Sequence, residues 1–109
     1  MSQKIQDFID QLKGQNIHVV GFTGTEAAAI ALFLNKQGLR DFHLHDFSEE
    51  KTIKKHFRKA HCALNPDEQS RRLEKILNLQ AKFHYKDSYL EGIDKADTIF
   101  VPQSWYMYE

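Results

Sequence analysis

The stretch from Ile17 to Asp46 leaves this chain few folds to choose from. An apolar run, Ile17-His18-Val19-Val20-Gly21-Phe22, enters the glycine turn Gly21-Phe22-Thr23-Gly24-Thr25-Glu26. A long apolar helix follows, then Gly38, then a second strand that ends in Asp46. Strand, glycine turn, helix, strand and acid, in that order, is the plan of a nucleotide-binding βαβ unit. The turn lets a diphosphate approach the backbone, and the helix N-terminus offers N–H groups and a positive dipole end. Asp46, 25 residues after Gly21, is placed to accept hydrogen bonds from a ribose or a base.

The dinucleotide pattern G-x-G-x-x-G is incomplete, because Thr23 and Glu26 stand where glycines would be needed and Gly24 comes one place late. Locally, Thr23-Gly24-Thr25-Glu26 has the form of a capping box, with Thr23 as N-cap and Glu26 reaching back from the third helical position. A carboxylate there suits the helix dipole and repels a phosphate on the same N–H groups. Glu26 therefore reads either as a cap or as a stand-in for a lost phosphate.

Elsewhere the pattern is just as regular. Ser2 to Lys13 is amphipathic, with Ile5, Phe8, Ile9 and Leu12 at helical spacing, Ser2 as cap and Gly14 as stop. Residues 17–22 form the first strand. Thr25 to Gln37 is a helix closed by Gly38. Phe42 to Phe47 is the second strand, and Ser48 begins a charged helix to Ala60 with Ile53 and Phe57 inward. Asn65-Pro66-Asp67-Glu68 starts another helix, running to Leu79 and burying Leu73, Ile76 and Leu77. Ala81 to Tyr85 is a third strand, Asp87 to Lys95 a loop or single turn containing Tyr89, and Thr98 to Val101 a fourth strand stopped by Pro102.

Strands that alternate with helices predict a Rossmann-like, three-layer α/β fold. Its parallel sheet has four strands in order 3-2-1-4, with helices on both faces. The 109 residues form one such domain: an N-terminal helix at 1–14, a core at 15–104 and an aromatic tail at 105–109. Ile99-Phe100-Val101 is an apolar strand at the open edge, followed by Ser104-Trp105-Tyr106-Met107-Tyr108. Residues 98–108 are thus expected to meet a second copy or further C-terminal domains of a longer protein.

The same residues resemble the N-terminal domain of the Mur ligases, which add amino acids to UDP-N-acetylmuramic acid at the expense of ATP. Ile17 to Glu26 looks like that family's opening strand and turn, and the spacing from Gly21 to Gly38 is similar, especially to the alanine- and glutamate-adding members. Asp46 matches the acid that ends their second strand, and Ala96-Asp97-Thr98-Ile99-Phe100-Val101-Pro102 looks like their fourth strand. The chain departs from the family at Glu26, at Gln103-Ser104-Trp105 and in the longer, more helical insertion from Lys54 to Leu79. The resemblance implies a cytoplasmic docking domain for a UDP-linked muramoyl substrate in peptidoglycan synthesis. Gly21, Phe22, Thr23, Gly24 and Thr25 would lie on the phosphate side, Asp46 and Phe47 at the nucleoside, and Ser104 in the last loop. No G-x-x-x-x-G-K-[ST] loop occurs, so this chain alone is not a ligase, and ATP and Mg²⁺ belong to a full-length parent. Two other readings stay open: an interaction or regulatory module that kept the fold and lost the nucleotide, and an NAD-binding sensor domain.

Composition narrows the classes further. Lys plus Arg and Asp plus Glu are both 15, so no global field draws the chain to nucleic acid or anionic membrane. The basic stretches Lys51-Lys54-Lys55, Arg58-Lys59 and Arg71-Arg72 lie among acids and read as solvated helix faces. No apolar run approaches the ~18 residues of a membrane span. Six histidines invite a metal; His43 and His45 share a strand face, with His18 and His84 on neighbouring strands. No compact ligand spacing joins them, so no metal site is assigned. Cys62, the single cysteine, is read as a structural thiol. Asp87, Glu91, Asp94 and Asp97 read as turn and cap residues.

Overall fold

The computed structural model describes residues 2–88 and 90–102. Its elements, in order, are α1 (Gln3–Leu12), β1 (Ile17–Val20), α2 (Thr25–Lys36), β2 (Phe42–His45), α3 (Ile53–Ala60), α4 (Pro66–Leu77), β3 (Ala81–His84) and β4 (Thr98–Phe100). Short 3₁₀ turns span Glu50–Thr52, Lys86–Ser88 and Ile93–Lys95. The four strands are all parallel and stand in the order β3-β2-β1-β4. Ser104, Trp105, Tyr106, Tyr108 and Tyr89 lie outside the described residues.

Local chemistry sets the helix ends. The Ser2 side chain accepts from the Ile5 N–H, and Asn65 accepts from the Glu68 N–H with Pro66 in the first helical position. Both are caps expected from sequence. Gly38 follows α2 at φ +87, a left-handed conformation that an L side chain resists by ~1–2 kcal/mol. A Cβ there would touch nothing within 4 Å, so the penalty is purely conformational. Gly38→Ala should therefore lower unfolding stability by about 1 kcal/mol, read from the urea midpoint at unchanged slope.

The main core lies on one face of the sheet. Ile17 and Val19 of β1 and Phe42 and Leu44 of β2 pack with Ala27, Ala28, Ala31 and Leu34 of α2, Phe57 of α3, and Leu73 and Ile76 of α4. The alanines let α2 lie close on the strands. Alternation sends His18, Val20, His43, His45, His84 and Ile99 to the other face. There the segment from Leu90 to Ala96, with its 3₁₀ turn at Ile93–Lys95, comes against the histidines. A Cβ on Gly92 would lie 3.6 Å from His18 Cε1, which fixes how closely this segment approaches the sheet.

Some boundaries differ from the sequence reading. β2 stops at His45, because the Asp46 side chain turns to bind the neighbouring loop. Ser48 does not begin a helix: its N–H donates to Asp46 Oδ1, and a 3₁₀ turn precedes α3. Leu77 is exposed on the last turn of α4, which ends before Leu79. In α1 only Ile9 and Leu12 of the apolar stripe are buried.

A candidate ligand cleft at the carboxyl ends of the strands

The cleft begins at a loop anchored on the neighbouring strand. Gly21, at φ +80, turns the chain out of β1. The Gly21 and Phe22 N–H groups both donate to the His45 carbonyl, at 2.7 and 3.2 Å. Asp46 takes over where that carbonyl stops. Its Oδ2 accepts from the Thr23 N–H at 3.1 Å and from the Thr23 hydroxyl at 2.7 Å, while Oδ1 accepts from the Ser48 N–H at 2.9 Å. Asp46 is 1% exposed. One carboxylate thus ties the β1–α2 loop to the segment after β2.

These bonds displace the capping box expected from sequence. The Thr23 hydroxyl is spent on Asp46, so the N-cap of α2 is Gly24, and no side chain caps the helix. Glu26 is exposed in the first helical turn, on the rim of the cleft. A charge-assisted bond between residues distant in sequence stands in place of the local one.

The resulting cavity has a volume of about 450 Å³, within the ~300–1,000 Å³ range of small-molecule sites. Gly21, Thr23, Gly24, Thr25 and Glu26 form one wall, Asp46 and Phe47 a second, and Pro102 after β4 a third. β1 is the strand from which the chain runs to β2 on one side and to which β4 returns on the other. The cavity therefore sits at the topological switch point, where ligands of open α/β sheets bind.

Of the residues assigned from sequence, Gly21, Thr23, Gly24, Thr25, Asp46 and Phe47 come together here. Phe22 does not: its ring is fully buried, edge-on to Phe83 and Tyr85 at 5.5 and 6.0 Å. Ser104 lies outside the described residues. Sequence reasoning missed His56, Lys59 and Ala60 of α3, which complete the lining. The inward positions Ile53 and Phe57 could be read, and they set His56 and Ala60 on the adjoining flank, but residues 56 and 59 fall in a run of cations with no local mark of a cleft. His56 Nδ1 shares a 2.5 Å hydrogen bond with Ser48 Oγ, and its ring stacks near Phe47 at 5.9 Å. Lys59 adds a cation to the lining that Glu26 shares.

A second polar cluster occupies the opposite face of the sheet. Four imidazoles form a stack: His18 on His43 at 4.1 Å, His18 on His45 at 4.8 Å, His45 on His84 at 4.5 Å and His43 on His84 at 5.1 Å. His18 Nδ1 and His45 Nε2 are 2.6 Å apart, and His43 Nδ1 and His84 Nε2 2.9 Å. Each contact needs one ring nitrogen to donate and one to accept, so at least one ring of each pair is neutral. Burial, then the nearby charges of His43 and His84, lowers the His18 pKa to about 4. Burial, His84 and Lys82 lower that of His43. Rings stacked in parallel aim their lone pairs side by side, and among the described residues no group of three or more His, Cys, Asp or Glu side chains is arranged to hold a metal ion.

No protein-family model, curated protein or solved structure matches this chain. Among the described residues, no helix is long and apolar enough to cross a membrane.

Proposed function

We propose that the cleft docks a nucleotide-sugar diphosphate, as in the UDP-binding domain that the sequence resembles, with a UDP-linked muramoyl compound as the ligand class. The observation that carries this reading is the convergence of an uncapped helix N-terminus, a glycine turn and Lys59 on one cavity at the switch point of the sheet. The N-terminus of α2 and the Lys59 ammonium both favour the diphosphate, and Glu26 opposes it. Phe47 and the segment after β2 would meet the nucleoside. Catalysis is not assigned to this chain: ATP, Mg²⁺ and amide ligation would belong to a parent protein carrying a phosphate loop.

One observation favours the second reading, a module that has kept the fold without the nucleotide. Both Asp46 oxygens are engaged by the protein itself, which leaves less acceptor capacity for a ribose than a solvent-facing acid would offer.

An amide-shift titration with UDP-N-acetylmuramoyl-L-alanine, with UMP and NAD as controls, separates the readings. Shifts clustered at residues 21–26, 46–47 and 56–60 are expected with the UDP ligand. Lys59→Glu should weaken binding by about tenfold, equivalent to ~1.4 kcal/mol, and Glu26→Gln should strengthen it. Shifts with NAD alone would assign a dinucleotide sensor. No shifts at millimolar concentrations of any of the three would sink the nucleotide reading.

A further inference from the structure

We infer that the outer edge of β4 is an interface on which a second copy of this chain adds its own β4, antiparallel, to make one continuous eight-stranded sheet. The backbone geometry comes first. The Asn16 carbonyl accepts from both the Asp97 and the Thr98 N–H, at 2.8 and 3.3 Å, and the Gly21 N–H bonds to His45 of β2. By alternation along β1 it is His18 that faces β4, and His18 is paired with Ile99, between Thr98 and Phe100. In a parallel ladder a residue directs its N–H and C=O to the same side, alternately along the strand. Thr98 and Phe100 therefore bond inward to β1, and the backbone groups of Ile99 and Val101 point out from the sheet. No described strand pairs with that edge.

What discourages pairing is slight, a strand of three residues that runs into Pro102. Natural edges carry charges, prolines or bulges against it, whereas Thr98-Ile99-Phe100-Val101 has no charge and no proline before Pro102. Like meets like without repulsion, so the strand is complementary to itself. Directly opposed residues of an antiparallel pair share a face, which restricts the register. A two-fold axis beside Phe100 sets Ile99 against Val101 of the second copy, and Val101 against Ile99 of the second copy. These are the residues whose outward N–H and C=O groups make a hydrogen-bonded pair. On the helical face Phe100 meets Phe100 of the second copy.

The apolar surface around this edge is large enough to matter. Ile99 and Val101 on one face, and Phe8, Phe33 and Ile5 on the other, are 40–51% exposed. Phe8 stands edge-on to Phe100 at 6.4 Å, and with Ala29, Ile30, Phe33 and Leu34 it lines an apolar groove of about 320 Å³. Large side chains bury ~150–250 Å² each, so these five leave roughly 400–500 Å² of apolar surface per chain, over half of the ~800 Å² per partner of a standard interface. Pairing along β4 brings the two copies of α1 and this groove together.

Sedimentation velocity on the 109-residue chain with Cys62→Ser tests the pairing. A dimer is expected at about 100 μM, and the double variant Ile99→Lys, Val101→Lys should be monomeric with an unchanged far-UV circular dichroism spectrum. Register is tested by oxidation in the same background. Ile99→Cys with Val101→Cys should give a covalent dimer, because opposed Cα atoms lie within the ~7 Å a disulfide spans. Either cysteine alone should not, since each then faces its equal two residues away along the strand, at ~8 Å or more. A monomer at ~100 μM would overturn the proposal and leave the edge to a strand of another chain. A dimer indifferent to the two lysines, or single cysteines that cross-link as readily as the pair, would overturn it as well.

Discussion

Asp46→Ala should destabilise the fold by roughly 3–5 kcal/mol, the largest effect expected of any single substitution at the cleft. The substitution leaves the Thr23 N–H, the Thr23 hydroxyl and the Ser48 N–H without their acceptor. Buried donors stripped of a partner cost ~1–3 kcal/mol each, with some relief as the hydroxyl and the loops turn to water. Thr23→Val, which removes only the hydroxyl donor, should cost about 1 kcal/mol. Urea unfolding followed by circular dichroism gives both numbers, and an Asp46→Ala loss under 1 kcal/mol would show that the carboxylate does not hold the two loops. This also changes how a binding experiment is read. If Asp46→Ala abolishes ligand shifts, the loss follows from the loosened β1–α2 loop as readily as from a missing ribose contact. Lys59, which is exposed and takes no part in holding the loops, is the cleaner probe of the cleft.

The contrast between Asp46 and Thr23 shows what was legible in the chain. Strand, glycine turn, helix and strand could be read because each is written in local terms: the apolar run at 17–20, glycines at 21 and 38, the alanines of α2. The order 3-2-1-4 follows from that alternation and from the handedness of parallel crossovers. The position of Asp46 at the strand end was legible; its occupation was not. Which donors a carboxylate meets depends on how two loops lie in space, so the capping box inferred for Thr23 and Glu26 gave way to a bond across 23 residues. Lys59 and His56 were obscured for a related reason. In sequence they belong to a run of cations that reads as a solvated face, and only the packing of Phe57 turns that flank of α3 toward the cleft. The histidines lie between these cases. Strand alternation put His43 and His45 on one face, yet the four-ring stack exists because the register sets His43 beside His18 and His84 beside His45.

Acidification should unfold this protein from that stack, and the sign of the effect follows from the His18 pKa. In the unfolded chain His18 takes up a proton near its ordinary value of ~6.5. In the folded chain its pKa is about 4, because burial and neighbouring His43 and His84 disfavour the charged ring. Between these values the unfolded state binds the extra proton, so stability falls as pH falls. The contribution is fully present above pH ~6.5 and is lost progressively as pH drops toward ~4, by up to about 3 kcal/mol. His43 shifts in the same direction and adds to the slope. The groups facing His18 across the sheet and the crossover are His43, His45 and His84, with Asn16 at 3.2 Å from its Nε2, Lys82 beside His43 and Glu91 at 3.9 Å from His84. Glu91 is the one acid among them, and its exposed position screens whatever charge it returns to the stack. Urea midpoints at pH 7.5, 6 and 4.5 should therefore fall steeply over the last interval. His18→Gln, which keeps a hydrogen-bonding group and cannot take the proton, should flatten that fall even where it lowers stability at neutral pH. A midpoint constant from pH 7.5 to 4.5, or a slope unchanged by His18→Gln, would mean that the stack tolerates charge and that His18 is not held neutral by its burial.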